Sequence, residues 1–190
     1  MYPTEELRRE HEDFLLLIQV TDRLINEMEH HQNQTQTFWD VTKHFHTDVR
    51  TCHSAKETQC LFPQLQRMGI MTPDTVNSEH FGHQKGFGMM LRIEEALRRV
   101  MSGDMDYLNP LIHTTLAHNQ FIRSHMAFEE EFIFPLAEEH FTSRDWNEVT
   151  NGFAIIEGKY NITGGRKDFT ALLSRVKEEP LVVQLNLASI

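Results

Sequence analysis

Two eleven-residue stretches, HSAKETQCLFP at 53–63 and HMAFEEEFIFP at 125–135, carry identical residues at five places and Leu against Ile at a sixth. Each reads His-x-x-x-Glu and then Phe-Pro, and the copies start 72 residues apart. Positions i and i+4 share one helix face. In each copy, therefore, one imidazole and one carboxylate reach the same point from a single helix. Each copy is also preceded by a helix bearing Glu-His: Glu10-His11 before the first and Glu79-His80 before the second. The intervals are 42 residues from His11 to His53 and 45 from His80 to His125. The chain thus reads as two antiparallel helical hairpins of one design. Packed face to face, they place His11, His53, His80, His125, Glu57 and Glu129 in one layer of the core.

Helical periodicity supports this plan. Leu7, Phe14, Ile18, Ile25 and Met28 form a first stripe, with Thr4 as its cap and His11 on it. The polar run HHQNQTQT, 30–37, reads as a turn. A second helix from near Thr37 carries Phe38, Val41, Phe45, Val49 and Cys60 inward. Pro63 interrupts its regular pattern, and Gly69 suits a stop. Thr72-Pro73-Asp74 is a strong helix start. From it runs a stripe of Val76, Phe87, Met90, Leu97 and Met101 that ends at Gly103. A fourth helix opens at Asn109-Pro110 and turns Leu111, Ile122, Phe132 and Leu136 inward. No alternating Val/Ile-rich strand precedes residue 180. The expected fold is all-α: an antiparallel up-down four-helix bundle over 1–141. A C-terminal extension over 142–190 adds short helices near Ser143–Ile156 and Arg166–Lys177, then an extended tail, LVVQLNLASI.

One inward histidine is usually a satisfied core residue, and one i,i+4 His/Glu pair is usually a surface pair. Two carboxylates and four imidazoles in a single core layer are harder to accommodate, since each uncompensated buried charge costs several kcal/mol. Matched placement in both halves calls for a cation. The donor set suits two divalent metals with the carboxylates bridging, and nitrogen and oxygen without thiolate fits iron, zinc, copper or manganese. A zinc-protease His-Glu-x-x-His helix is begun by His11-Glu12, but position 15 is Leu. His83, three residues after His80, lies on the same stripe as a candidate further ligand. His46 and His118 lie about 10 Å along the helix axis from His53 and His125, which suits a hydrogen-bonded core layer. His30, His31, His44, His113 and His140 are assigned to solvent or turns.

Composition narrows the function. The 190 residues carry a formal charge of −10, which argues against nucleic acid as partner. FLLLI at 14–18 is too short to span a bilayer, and MYPTEELRRE lacks a signal-peptide layout. Cys52 and Cys60 on one helix stand about 12 Å apart, too far to pair. A reduced, cytoplasmic protein is expected.

The set Glu10-His11, Cys52-His53-x-x-Lys56-Glu57 with Leu61-Phe62-Pro63, Glu79-His80, and His125-x-x-x-Glu129 with Ile133-Phe134-Pro135 resembles the hemerythrin-like (HHE cation-binding) domain family over about residues 5–141. The resemblance implies an up-down four-helix bundle and a non-haem di-iron centre. His11, His53, His80 and His125 would be ligands, and Glu57 and Glu129 the bridges. The sequence departs from the oxygen-carrying members, which have His-x-x-x-His on the third helix where this chain has Gln84, and Asp five after the last His where it has Glu129 at four. It is closer to bacterial members linked to handling of oxygen, nitric oxide or peroxide, to iron–sulfur repair or to iron sensing. The expected function is binding of O2 or NO at two Fe ions for storage, sensing or detoxification. The alternatives are a di-iron enzyme turning over peroxide or NO or oxidising ferrous iron, and an iron-handling or repair protein. The tail is compatible with a homodimer.

Overall fold

A computed structural model describes residues 2–28 and 35–178. Among them every regular element is helical. Helix α1 (Pro3–Met28) is followed by α2 (Thr35–Asp48). The same rod continues through a π turn at Val49–His53, a short α3 (Ser54–Lys56), a second π turn at Glu57–Leu61 and α4 (Phe62–Arg67). Then come α5 (Pro73–Met101), a 3-10 turn, and α6 (Leu108–Phe128). A third π turn at Glu129–Ile133 leads into α7 (Phe134–His140). Helices α8 (Ser143–Ile162) and α9 (Gly165–Glu178) complete the described chain. His30, His31, part of the first turn and the tail after residue 178 lie outside the described residues.

The long helices close a ring of contacts: α1 packs on α2 and α6, and α5 on the same two. Helices α8 and α9 lie against α1 and the α2–α4 rod. They do not build a separate core. Phe169, Leu172, Leu173 and Val176 of α9 join the cluster around Phe14, Ile18, Phe38 and Phe45, while Trp146, Val149 and Phe153 of α8 join Leu7, Leu61, Phe62 and Phe134. On α1, His11 sits between Leu7 of one cluster and Phe14 of the other. The polar layer is thus walled on both sides by apolar side chains, each contributing about 1.5–3 kcal/mol when fully buried.

Local signals explain most boundaries. Thr72 caps α5 by accepting from the Thr75 amide at 3.2 Å, and Pro73 stands where its missing N–H costs nothing. Gly103 follows α5 at φ +93°, a conformation a Cβ would strain. Thr142 and Asp145 form a capping box ahead of α8.

Three sequence expectations need correction, and one about Pro63 is met. Thr4 is not a cap: α1 already runs from Pro3, and the buried Thr4 hydroxyl donates to Glu138 at 2.7 Å. Pro63 interrupts the regular α-helix without ending it, as expected, and a last stretch runs on through Arg67 to a cap at Met68. The Phe62 amide bonds the Glu57 carbonyl, five residues back, and this wider turn relieves the clash a proline ring makes with the carbonyl four residues before it. Phe134 and Glu129 repeat this ahead of Pro135. Phe132 is 55% exposed, because Ile133 takes the inward place as the π turn ends. Met101, in the frayed last turn of α5, is also exposed.

Candidate metal centre

Five of the six residues singled out by spacing converge. His11, His53, Glu57 and Glu129 form one group whose donor atoms lie within 4.8 Å of one another, and His83, His125 and Glu129 form a second. His80 joins neither group. It is half-buried in the wall of an outer pocket, and His83, one turn further along α5, stands at the centre. The interval could have identified it: His83 precedes His125 by 42 residues, as His11 precedes His53. The Glu79-His80 dipeptide points instead to the turn before it on the same helix.

The two glutamates join the histidine pairs. Glu57 sets Oε1 3.5 Å from Nε2 of His53 and Oε2 3.2 Å from Nε2 of His83. Glu129 sets Oε2 3.5 Å from Nε2 of His11, and Oε1 3.2 Å from Nε2 of His125 and 3.5 Å from that of His83. Each carboxylate therefore offers one oxygen to the His11/His53 side and one to the His83/His125 side. All four oxygens are buried without a hydrogen-bond donor. Bonds of about 2.1 Å to one cation would set neighbouring donors about 3.0 Å apart in an octahedral shell and about 3.4 Å in a tetrahedral one. The observed separations, 3.2–3.5 Å, lie close to the tetrahedral value.

Tautomers sharpen the point. Nδ1 of His11 meets Glu130 Oε1 at 2.7 Å, and Nδ1 of His53 meets Glu10 Oε2 at 2.9 Å. A carboxylate can only accept, so each Nδ1 carries the proton. With both rings neutral, the two Nε2 lone pairs would face each other across 3.0 Å, an arrangement that a cation, or a proton shared between them, would relieve. Carboxylates behind metal-binding imidazoles fix the ring in this way. Glu10 and Glu79 were visible beside histidines in the sequence, but Glu10 serves His53 across the hairpin instead of its neighbour His11. Glu130 had no sequence signal beyond adjacency to Glu129.

No family model, curated protein or solved structure matches the chain.

The electrostatics follow the geometry. Burial pulls His83 down, yet with no metal between them the Glu129 and Glu57 carboxylates outweigh it and raise the ring to about 10, so a proton on Nε2 would occupy the place a shared cation takes. Burial raises Glu57, but His53 and His83 bring it down to about 2. A third group, Glu10, Cys52 and Glu157, also has metal-like spacing. Cations already serve it: Lys56 Nζ lies 2.7 Å from Glu10 and 3.0 Å from Glu157, and Arg166 lies 3.1 Å from both. Burial pushes the Cys52 thiol up to about 12, so no thiolate is offered there.

A cavity of about 30 Å³ adjoins the centre, lined by His53, His83, His125 and Glu129 and by Phe14, Phe45, Met90, Ile122 and Met126 among others. That is room for one or two water-sized molecules. Ser54, His83 and Phe87 separate it from the outer pocket of about 260 Å³ at Arg50, Gln59, His80 and Gln84. The Ser54 hydroxyl, buried without a hydrogen-bond partner, lines both. Further along the core, His46 donates Nδ1–H to Glu94 at 2.7 Å, and His118 meets Asn119 at 3.2 Å. Neither belongs to the metal-competent groups. No helix among the described residues is long and apolar enough to cross a membrane.

Proposed function

We propose that this chain is a hemerythrin-like four-helix-bundle protein holding two iron ions and binding a small ligand, O2 or NO, for storage, sensing or detoxification. The observation that carries the reading is the pair of glutamates without hydrogen-bond donors, each with one oxygen toward His11/His53 and one toward His83/His125. The ligand set is His11, His53, His83, His125, Glu57 and Glu129, with His83 in the place that sequence spacing gave to His80. A bound iron pair would supply an electron-rich centre with room for an exogenous diatomic ligand. The residues of the chain do the rest. Glu130 and Glu10 orient His11 and His53, and Glu57 and Glu129 span both positions. Phe14, Phe45, Met90, Ile122 and Met126 keep the cavity apolar and narrow, which admits a diatomic molecule and excludes larger substrates. The Ser54 hydroxyl is a free donor at the entrance.

The cavity lining holds no carboxylate beyond the proposed ligand Glu129, and its imidazoles at His46 and His118 keep turnover as the second reading. Metal analysis of untagged protein purified without added metal tests the reading. About two iron ions per chain are expected, with a reversible charge-transfer band on exposure to O2 or NO. Stoichiometric zinc would replace iron with a structural metal, and a metal content near zero would refute the reading.

A further inference from the structure

Among the charges beside the centre that the ligand set leaves unused, the buried Lys56 and the half-buried Arg166 stand out. Lys56 is fully buried, with Glu6, Glu10 and Glu157 as its partners. Arg166, in the first turn of α9, reaches Glu10 Oε1 and Glu157 Oε1, both at 3.1 Å, and Cys52 Sγ at 3.4 Å. Both cations bond the same oxygen of Glu10. The other oxygen of Glu10 receives Nδ1–H of His53 at 2.9 Å. One carboxylate is thus held on one side by two cations and on the other by a proposed ligand.

The repeat supplies an internal comparison. Shifted by 72 residues, His53 becomes His125, but Lys56 becomes Phe128 and Glu10 becomes Gly82. In this second half a carboxylate still approaches the ring, from Glu79, one turn earlier on the helix. It lies 3.6 Å from His125 Nδ1, beyond a hydrogen bond, and the same oxygen is buried with no hydrogen-bond partner. Nδ1 of His83 likewise has none. Both rings are therefore anchored through Nδ1 in the first half, and neither is in the second.

We propose that Lys56 and Arg166 are positioning residues for the metal centre: they pin Glu10 onto Nδ1 of His53, so that docking of the C-terminal helix pair sets metal affinity at the His11/His53 position. This rests on the metal-centre reading and extends it to a part of the chain outside the paired hairpins. Removal of an outer partner of a metal-bound histidine lowers affinity about 10–100-fold. The geometry of α9 supports the role. A Cβ on Gly165 would meet Tyr160 ring atoms at 2.0–2.6 Å, so glycine lets α9 begin tightly against α8 and brings Arg166 in.

The test is anaerobic titration of the full-length metal-free chain with Fe(II). Wild type is expected to bind in two unequal steps. Arg166→Gln and Lys56→Met weaken the tighter step about 10–100-fold and leave the weaker one in place, and Arg166→Lys recovers part of the loss. Gly165→Ala, which leaves Arg166 itself intact, moves the same step in the same direction. The Nδ1–H proton resonance of His53, assigned by its absence in His53→Gln, reports the hydrogen bond directly and is lost or shifted in Arg166→Gln. A purely structural role would lower the melting temperature without changing the ratio of the two steps. Two equal steps in wild type, or unchanged steps and an unchanged resonance in Arg166→Gln, overturn the inference while the metal centre stands. Absence of Fe(II) binding in wild type refutes the metal-centre reading itself.

Discussion

Replacing Glu129 with glutamine tests the centre with little change of shape. Glu129 is fully buried, belongs to both metal-competent groups, and has no hydrogen-bond donor on either oxygen. Glutamine keeps its volume but removes the charge and one oxygen, so the two histidine pairs lose a shared donor. A ligand that binds only the folded state at 100 times its Kd stabilises that state by about 2.7 kcal/mol, so two such sites contribute about 5.4 kcal/mol. In a chain of this length each kcal/mol moves Tm by about 2–4 °C, which makes the wild-type gap between metal-loaded and metal-free forms about 10–20 °C. Glu129→Gln is expected to keep its metal-free stability within about 1 kcal/mol of wild type and to lose most of the metal-dependent gain. Glu131→Gln, two residues on and exposed, should keep it. Thermal melts of the three proteins with and without Fe(II), alongside metal analysis, decide the matter. A full metal-dependent rise in Glu129→Gln would show that the glutamates do not hold the cation, and the reasoning from unpartnered oxygens would fail.

Gly82→Ala should disturb the His83/His125 side selectively. Its Cβ would stand 3.1 Å from Cε1 and 3.3 Å from Nδ1 of His125, and metal titration should show the weaker step lost while circular dichroism stays helical. Gly86→Ala is the milder control, because its Cβ meets the flexible end of Ile122 at 3.2 Å and the Phe121 ring at an ordinary 3.6 Å; unchanged metal binding is expected there. For pH, His118 is decisive. Burial pushes it down to about 4, below the ordinary histidine value of 6.5. The unfolded chain then binds more protons between those values, so stability is full above about pH 6.5 and is lost as pH falls toward 4, by about 3 kcal/mol in all. Denaturant titrations of the metal-free protein at pH 7 and pH 5 should show a smaller drop in His118→Leu than in wild type; equal drops would contradict this.

Much of the fold was legible because helical periodicity and capping residues act locally. Thr72-Pro73 and Gly103 bound α5 where the sequence placed its ends, since a cap oxygen, a ring without N–H and a glycine at positive φ need no distant partner. The exposure of Phe132 was not legible. A straight 3.6-residue period counts it inward, whereas a π turn adds one residue to the turn and advances the register. Proline at 63 and 135 was the available sign. At both places a wider turn lets the helix continue, with one residue added to the register. Thr4 failed for the opposite reason: its hydroxyl is taken by Glu138, 134 residues away, and no local rule foresees that.

The site shows the same division. Chemistry was legible residue by residue; register was legible only from the whole repeat. A single shift of 72 carries His11 to His83, His46 to His118, His53 to His125, Glu57 to Glu129 and Pro63 to Pro135. The Glu-His dipeptides break that shift, since Glu10-His11 maps onto Gly82-His83 and not onto Glu79-His80. A duplicated design holds its inner donors in register because both halves must meet at one layer, so a slip of three residues would rotate and lift a donor by nearly a turn. Outer partners are free to drift, because a longer or earlier side chain can reach the same ring. Glu79, reaching back from one turn earlier to 3.6 Å from His125, is such a drifted partner. The histidine that obeys the 72-residue shift lies inside the centre, and the one that follows the dipeptide lies at its outer pocket.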